Sequence, residues 1–139
     1  MNNMDLSSKL SSYEDFLAYA SMGSGQLFAH PLVKGFHFTE GARFVAQTFG
    51  AYWLIDAIAS HQPSVKRELE KHGLRDFQVW RLQELDGKIV LDAWSDTPDA
   101  EGSKCLAAQI INYTDFPVEL FPYVDLWVEY GTLLLKQER

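Results

Sequence analysis

The chain has 139 residues, of which 47% are hydrophobic and 14% aromatic, so it can bury the core of one domain. Its single cysteine, Cys105, excludes an intrachain disulfide, and its polar first residues lack a signal-peptide pattern. The net charge of −7 comes wholly from residues 76–139, which argues against direct nucleic-acid binding. Since no apolar run could span a membrane, we expect a soluble, cytoplasmic protein.

Helical patterns dominate the first half of the chain. Ser11 and Glu14 match a capping box, which predicts a short helix over 12–21 after a flexible stretch at 1–10. From Phe38 to His61, apolar residues recur at steps of three and four, which predicts one long, largely buried helix. A second, charged helix is predicted over 64–72, where Gly73 ends it.

From Asp76 onward the pattern alternates, as is typical of strands. Asp86-Gly87 is a strong signal for a two-residue hairpin turn between strands at 77–85 and 88–94. Pairing Leu85 with Lys88 places Trp80 and Leu82 on one face, while Arg81 opposes Asp92 on the other. Further strands are predicted over 105–113 and 124–135.

These elements predict the fold class and the domain organisation. We expect a single domain over residues 1–139 of the α+β class. In it, helices pack on one face of a four-stranded antiparallel sheet built from residues 76–135.

Three segments together resemble a known family. They are His30-Pro31-Leu32, the stretch from Gly50 to Ser60 (GAYWLIDAIAS), and Tyr113-Thr114-Asp115-Phe116-Pro117. The chain is similar, from about residue 27 to 135, to small bacterial, phage and plasmid proteins classed as a domain of unknown function. Its last residues depart from the Pro-containing ending expected of that family. The resemblance implies a mobile-element setting and transfers no catalytic residue.

No pattern in the sequence predicts a catalytic centre, a metal site or a cofactor site. The four histidines, His30, His37, His61 and His72, form no metal-binding spacing. Asp56, Ser60 and His61 are close in sequence, but adjacent helical residues point about 100° apart, which does not build a triad. Cys105 is interpreted as a small buried hydrophobic residue. We therefore predict no catalytic residue, no metal and no cofactor.

The favoured hypothesis is a non-enzymatic factor that binds a protein partner. It is an accessory protein of a mobile element, such as an inhibitor or counter-defence protein, and it acts through an acidic sheet face. Exposed tryptophans surrounded by carboxylates are typical of a contact surface. The predicted binding residues are Asp92, Trp94, Asp125, Trp127 and Glu129.

Two alternatives remain open at this point. A small-molecule-binding protein or enzyme would hold a pocket between the long helix and the sheet, where four polar side chains converge. These are His30, Tyr52, Asp56 and Asp115. The other alternative is a structural homodimer whose sheets join through the last strand.

Overall fold

The computed structural model describes residues 8, 11, 14, 15, 26–112 and 126–138. Within 26–112 and 126–138, the described chain forms three α-helices and seven strands. The helices are α1 (Glu40–Thr48), α2 (Tyr52–Ser60) and α3 (Gln62–Lys71). The strands are β1 (Leu27–Ala29), β2 (His37–Thr39), β3 (Phe77–Leu85), β4 (Lys88–Trp94), β5 (Cys105–Ile111), β6 (Leu126–Glu129) and β7 (Thr132–Leu135), and a 3-10 turn (Lys136–Glu138) follows.

The sheet is mixed, and its order is β1-β2-β7-β6-β3-β4-β5. All neighbouring strands are antiparallel except β2 and β7, which are parallel and pair His37 with Thr132. The α+β class fits, but the predicted four-stranded antiparallel sheet is wrong, since seven strands are hydrogen-bonded within the described chain. The chain therefore places β7 inside the sheet, between its earliest and middle strands.

Two features of the sequence concealed the extra strands. β1 and β2 have three residues each, which is too short for an alternating pattern to be recognised. The predicted last strand is in fact two strands, because Tyr130-Gly131 forms a two-residue turn between Glu129 and Thr132. Both turn residues have positive φ, 51° and 81°, as a type I′ hairpin requires. In this conformation Tyr130 costs about 1 kcal/mol more than glycine would.

The predicted long helix is also wrong, because it breaks at Gly50. The N–H of Ala51 donates to Ala46 O at 2.7 Å, and the N–H of Gly50 donates to Gln47 O at 3.5 Å. This is a Schellman ending, in which the residue after the cap adopts positive φ, and Gly50 has φ 62°. A second helix, α2, then begins at Tyr52.

The β3–β4 hairpin is confirmed in register. Leu85 pairs with Lys88, Arg81 with Asp92, and Trp80 with Ala93. Trp80 and Leu82 are fully buried against the helices, together with inward residues of the neighbouring strands. α3 also lies close to its predicted position, with Gly73 at φ 65° after its end.

The opposite face of the sheet carries a second, smaller hydrophobic cluster. Phe77, Val79, Trp127 and Leu134 are buried there, and Trp94 packs against them. The rings of Phe77 and Trp127 pack in a T-shaped arrangement, with their centroids 5.0 Å apart. We call this side the outer face.

Some predictions fall on residues that lie outside the described chain. Apart from Glu14 and Asp15, which are helical, the helix predicted over 12–21 is among them. So are Asp115, Asp125 and the Thr114-to-Pro117 segment. No helix in the described ranges is both long and apolar enough to cross a membrane.

Candidate functional site

The two family-like segments at residues 30–32 and 50–60 meet at one contact. His30 Nε2 lies 2.8 Å from Asp56 Oδ1, and this links the β1–β2 loop to the middle of α2. The His30 side chain is 3% exposed, whereas that of Asp56 is 67% exposed. The contact therefore has a buried imidazole on one side and a solvent-facing carboxylate on the other.

The backbone around His30 determines which nitrogen carries the proton. Its Nδ1 accepts the N–H of Leu32 at 3.1 Å and the N–H of Val33 at 3.0 Å. A nitrogen that accepts two N–H groups is unprotonated, so Nε2 carries the hydrogen and donates it to Asp56. Because both nitrogens are engaged, His30 is arranged to hold Asp56 in place rather than to accept a proton from a substrate.

Asp56 stands on an exposed stripe of α2. Tyr52, Asp56 and Ser60 recur every four residues along the helix, and all three are exposed. Tyr52 is 43% exposed, and Leu32, whose N–H is bonded to His30, is 86% exposed. Two large apolar side chains therefore accompany a fixed carboxylate. We call Leu32, Tyr52 and Asp56 the α2 surface.

This geometry brings together two of the four residues of the pocket hypothesis. His30 and Asp56 are in contact, Tyr52 lies one turn before Asp56, and Asp115 is outside the described residues. Three cavities lined by described residues include none of His30, Tyr52 and Asp56 in their walls. The cavity between α1, α2 and the sheet is only about 10 Å³ and is lined by apolar side chains. The ligand-binding role itself stays a prediction.

The outer face does not present tryptophans as the favoured hypothesis expected. Trp127 is only 9% exposed, and Trp94 is half-buried beside it. Asp92 is 4% exposed, and Glu129 is half-buried. The expectation of two exposed tryptophans is wrong for Trp127, because its ring packs on Phe77. Asp125 lies outside the described residues, and the binding role of this set stays a prediction.

Asp92 is a buried carboxylate held by donors from two strands. Gln83 Nε2 donates to Oδ2 at 2.6 Å, and Trp94 Nε1 donates to Oδ1 at 3.0 Å. Burial raises the pKa of Asp92, and these hydrogen bonds and the charge of Arg81 only partly oppose it. The carboxylate is thus a structural anchor of the outer face rather than an exposed contact.

Cys105 is exposed, which corrects its interpretation as a buried residue. It lies opposite Trp94, where a register shift interrupts the β4–β5 pairing. Partial burial of the thiol raises the pKa of Cys105, and the Asp92 carboxylate adds to the rise. A raised pKa disfavours the thiolate, so this geometry does not activate a nucleophile.

Two polar contacts were not foreseen from the sequence. Gln62 and Gln78 exchange two amide hydrogen bonds of 2.9 Å inside the core, and Trp80 Nε1 donates to the same Gln78 oxygen at 2.7 Å. Glu138 accepts from Thr39 Oγ1 at 2.6 Å and from the N–H of Gly41 at 3.0 Å, at the beginning of α1. No local pattern marks either contact, because both join residues distant in sequence.

Metal ligands do not assemble in the part of the chain that the structure describes. No group of three or more His, Cys, Asp or Glu side chains lies together there. The candidate site consists of the Asp56 carboxylate, the His30 imidazole that donates to it, and the exposed side chains of Tyr52 and Leu32.

Comparison with known proteins identifies the family. The model of a family of unknown function, DUF6876, matches residues 14–139. The chain belongs to this family. The match includes both segments that meet at the His30–Asp56 contact. No curated protein and no solved structure matches the chain.

Proposed function

We propose that this DUF6876 protein is a non-enzymatic, protein-binding factor, and that the α2 surface is where its partner binds. The observation that carries the proposal is the His30–Asp56 contact, in which a buried imidazole fixes an exposed carboxylate. A carboxylate held in one position loses less conformational entropy when a partner binds it. A partner therefore meets a pre-organised acceptor.

The surroundings of Asp56 also favour a protein partner. Exposed Tyr52 and Leu32 offer apolar contact next to the charge, and tyrosine is enriched at binding hot spots. A negative charge near exposed apolar side chains is complementary to a basic residue on the partner.

Site-specific photo-cross-linking tests this proposal. A benzoylphenylalanine probe replaces Tyr52 in cells that naturally carry the protein, and cross-linked products are identified by mass spectrometry. The matched control places the same probe at Leu85, which is 49% exposed against 43% for Tyr52 but lies at the β3–β4 turn. We expect a discrete cross-linked partner from position 52 and none from position 85.

A further substitution makes the result specific to the carboxylate. Asp56→Asn removes the charge but keeps an acceptor for His30, so the cross-link at position 52 should become much weaker. Glu84→Gln removes one exposed charge elsewhere and should leave the cross-link unchanged. Equal cross-linking at positions 52 and 85, or no effect of Asp56→Asn, would contradict the proposal.

The biological setting is the finer part of the proposal. The resemblance to small bacterial, phage and plasmid proteins supports an accessory role in a mobile element, as an inhibitor or counter-defence protein in the cytoplasm. The partner would then be a host protein with a basic, apolar-flanked contact site. Identification of the cross-linked species decides between a host protein and a product of the same element.

A further inference from the structure

A second surface feature lies apart from the α2 surface, where the β6–β7 turn meets the beginning of β3. Tyr130 occupies this turn with φ 51°, a conformation that favours asparagine or glycine, and its side chain is 74% exposed. Burial therefore does not compensate the strained backbone. Backbone strain that packing does not explain is a reason to look for a function at the same place.

Next to this turn is a carboxylate with unsatisfied bonding capacity. The backbone oxygen of Asp76 accepts the N–H of Tyr130 at 3.2 Å, so the two residues are adjacent. The side-chain Oδ1 of Asp76 is buried and has no hydrogen-bond partner within the described chain. A buried acceptor without a donor is unfavourable until a ligand or water supplies one.

A cavity of about 80 Å³ adjoins this carboxylate. It is lined by Asp76 and Glu70, by Leu69 and Leu74, and by Lys66. About 10–15 Å³ of water-accessible volume is enough to hold one water, so a polar group larger than water can enter. Lys66 forms no ion pair with either carboxylate within the described residues. Two carboxylates and one ammonium leave a formal negative charge to be matched by a cation.

We infer that this cavity binds an arginine side chain of a protein partner. A guanidinium has several donors in one plane and can bond Asp76 and Glu70 at once, while its weakly hydrated faces tolerate Leu69 and Leu74. An ammonium group has three donors, but it is strongly hydrated and lacks a planar face, so it suits the apolar walls less well. Tyr130, whose backbone N–H is bonded to Asp76 O, has an exposed ring, which we assign as a cation–π contact for the guanidinium. The site does not depend on the proposed role of Asp56.

Titration with a capped amino acid tests the inference. N-acetyl-arginine amide is added to the full-length, ¹⁵N-labelled protein, at an ionic strength matched with sodium chloride, and amide shifts are followed by NMR. We expect saturable shifts confined to residues 66–76 and 129–132. N-acetyl-lysine amide should bind at least about fivefold more weakly, because it has fewer planar donors.

Four variants separate the site from general charge attraction. Asp76→Asn should weaken arginine binding at least about fivefold, while Asp99→Asn, the same charge change at an exposed position, should have no effect. Tyr130→Asn suits the turn better, so it should raise the melting temperature and yet weaken binding. Asp56→Asn should leave this titration unchanged, which distinguishes it from the α2 surface.

Clear outcomes would overturn the inference. Dispersed shifts, or equal effects of Asp76→Asn and Asp99→Asn, would mean that the capped arginine is attracted only by net charge. Binding of free arginine without binding of the capped form would indicate recognition of the amino-acid ends, and hence a small-molecule site. Unchanged binding by a folded Tyr130→Asn protein would remove Tyr130 from the site.

Discussion

His30 joins two parts of the molecule through a single side chain. Its imidazole accepts the N–H groups of Leu32 and Val33 and donates to Asp56. The ring thus shapes the β1–β2 loop and fixes the carboxylate proposed to face the partner. His30 thus supports the loop from a buried position, and only Asp56 of the pair is exposed.

Substitution of His30 should therefore destabilise the fold more than substitution of Asp56. His30→Ala leaves two backbone N–H groups without their acceptor, which should cost about 2–3 kcal/mol of unfolding free energy. Asp56→Asn keeps an acceptor at an exposed position and should cost less than about 1 kcal/mol. Urea unfolding at neutral pH measures both, with His72→Ala as the exposed control. Equal losses would show that the backbone bonds to Nδ1 contribute little.

The raised pKa of Asp92 predicts how the stability of the fold changes with pH. Its pKa is raised in the folded protein, from an ordinary value of 3.8, so the folded state holds the proton more tightly than the unfolded state. The favourable contribution is complete below the ordinary value and is lost as the pH rises through the raised value. Above that range, the buried charge destabilises the fold.

Comparison with Asp92→Asn tests that sign. An asparagine preserves an acceptor for Trp94 and can pair with a rotated Gln83 amide, but it has no proton to lose. Relative to this variant, the wild-type protein should become progressively less stable as the pH rises from the ordinary value of 3.8 through the raised value. Denaturant unfolding over a pH series measures the difference. A difference that grows in the opposite direction would show that hydrogen bonds outweigh burial.

Among the helices and strands, α1 depends on a residue from the other end of the described chain. Thr39 caps its first turn by accepting the N–H of Ala42 at 3.2 Å. Glu138 then bonds the Thr39 hydroxyl and the N–H of Gly41, where its negative charge suits the positive end of the helix. A Cβ at Gly41 would overlap the Glu138 carboxylate, so the glycine makes room for this contact.

This contact predicts that the effect of Gly41→Ala on stability changes sign when Glu138 is also replaced. Gly41→Ala alone should destabilise the protein by about 1–2 kcal/mol, because it displaces a carboxylate held by three donors. In a Glu138→Ala background the same change should be neutral or stabilising by up to about 1 kcal/mol, since alanine is the better helix former. Thermal unfolding of the four proteins gives the coupling energy. Additive effects would contradict the overlap.

Local patterns predicted the elements whose signals are contained within a few residues. The Asp86-Gly87 turn fixed the β3–β4 register, and Gly73 marked the end of α3. Gly50 lies within an apolar pattern that continues across the break, so periodicity alone joined α1 and α2. Likewise, Tyr130 is an unusual residue for a type I′ turn and concealed the β6–β7 hairpin.

The candidate site was only partly predictable for a similar reason. Periodicity placed Tyr52 and Asp56 on one side of a helix, and the pocket hypothesis included His30. The bonds from Leu32 and Val33 that determine its tautomer depend on the loop conformation, which no local pattern encodes. The burial of Trp127 depends on Phe77 from a different strand, so alternation identified its face but not its exposure.

At the scale of the whole molecule, the sheet has a well-buried centre and a weak edge. β3 lies between β6 and β4, and Val79, Trp80 and Leu82 in it are fully buried. β1 has only three residues, and Leu27 in it is 55% exposed. Together, β1 and β2 join the rest of the sheet through the short β2–β7 pair.

Backbone amides at the centre of the sheet should therefore exchange more slowly than those at its β1 edge. Amides of β3 and β4 should exchange only through global unfolding, whereas those of β1 should exchange through local opening with a much lower free energy. Exchange measured by mass spectrometry at several denaturant concentrations separates the two. Global-type protection of β1 would mean that the short β2–β7 pair is as stable as the centre of the sheet.

The interior position of β7 has a consequence for synthesis in the cell. The β3–β4–β5 meander connects neighbours in sequence, so it can form as soon as residues 77–111 have left the ribosome. β2 is made much earlier, but its pairing partner in the main sheet is the latest strand of the described chain. Until β7 emerges, α1 and its strand have no sheet edge to join. The apolar surfaces of α1 and β2 therefore stay exposed on the nascent chain until β7 has been made. We expect chaperones and proteases to act on the chain most readily during this interval.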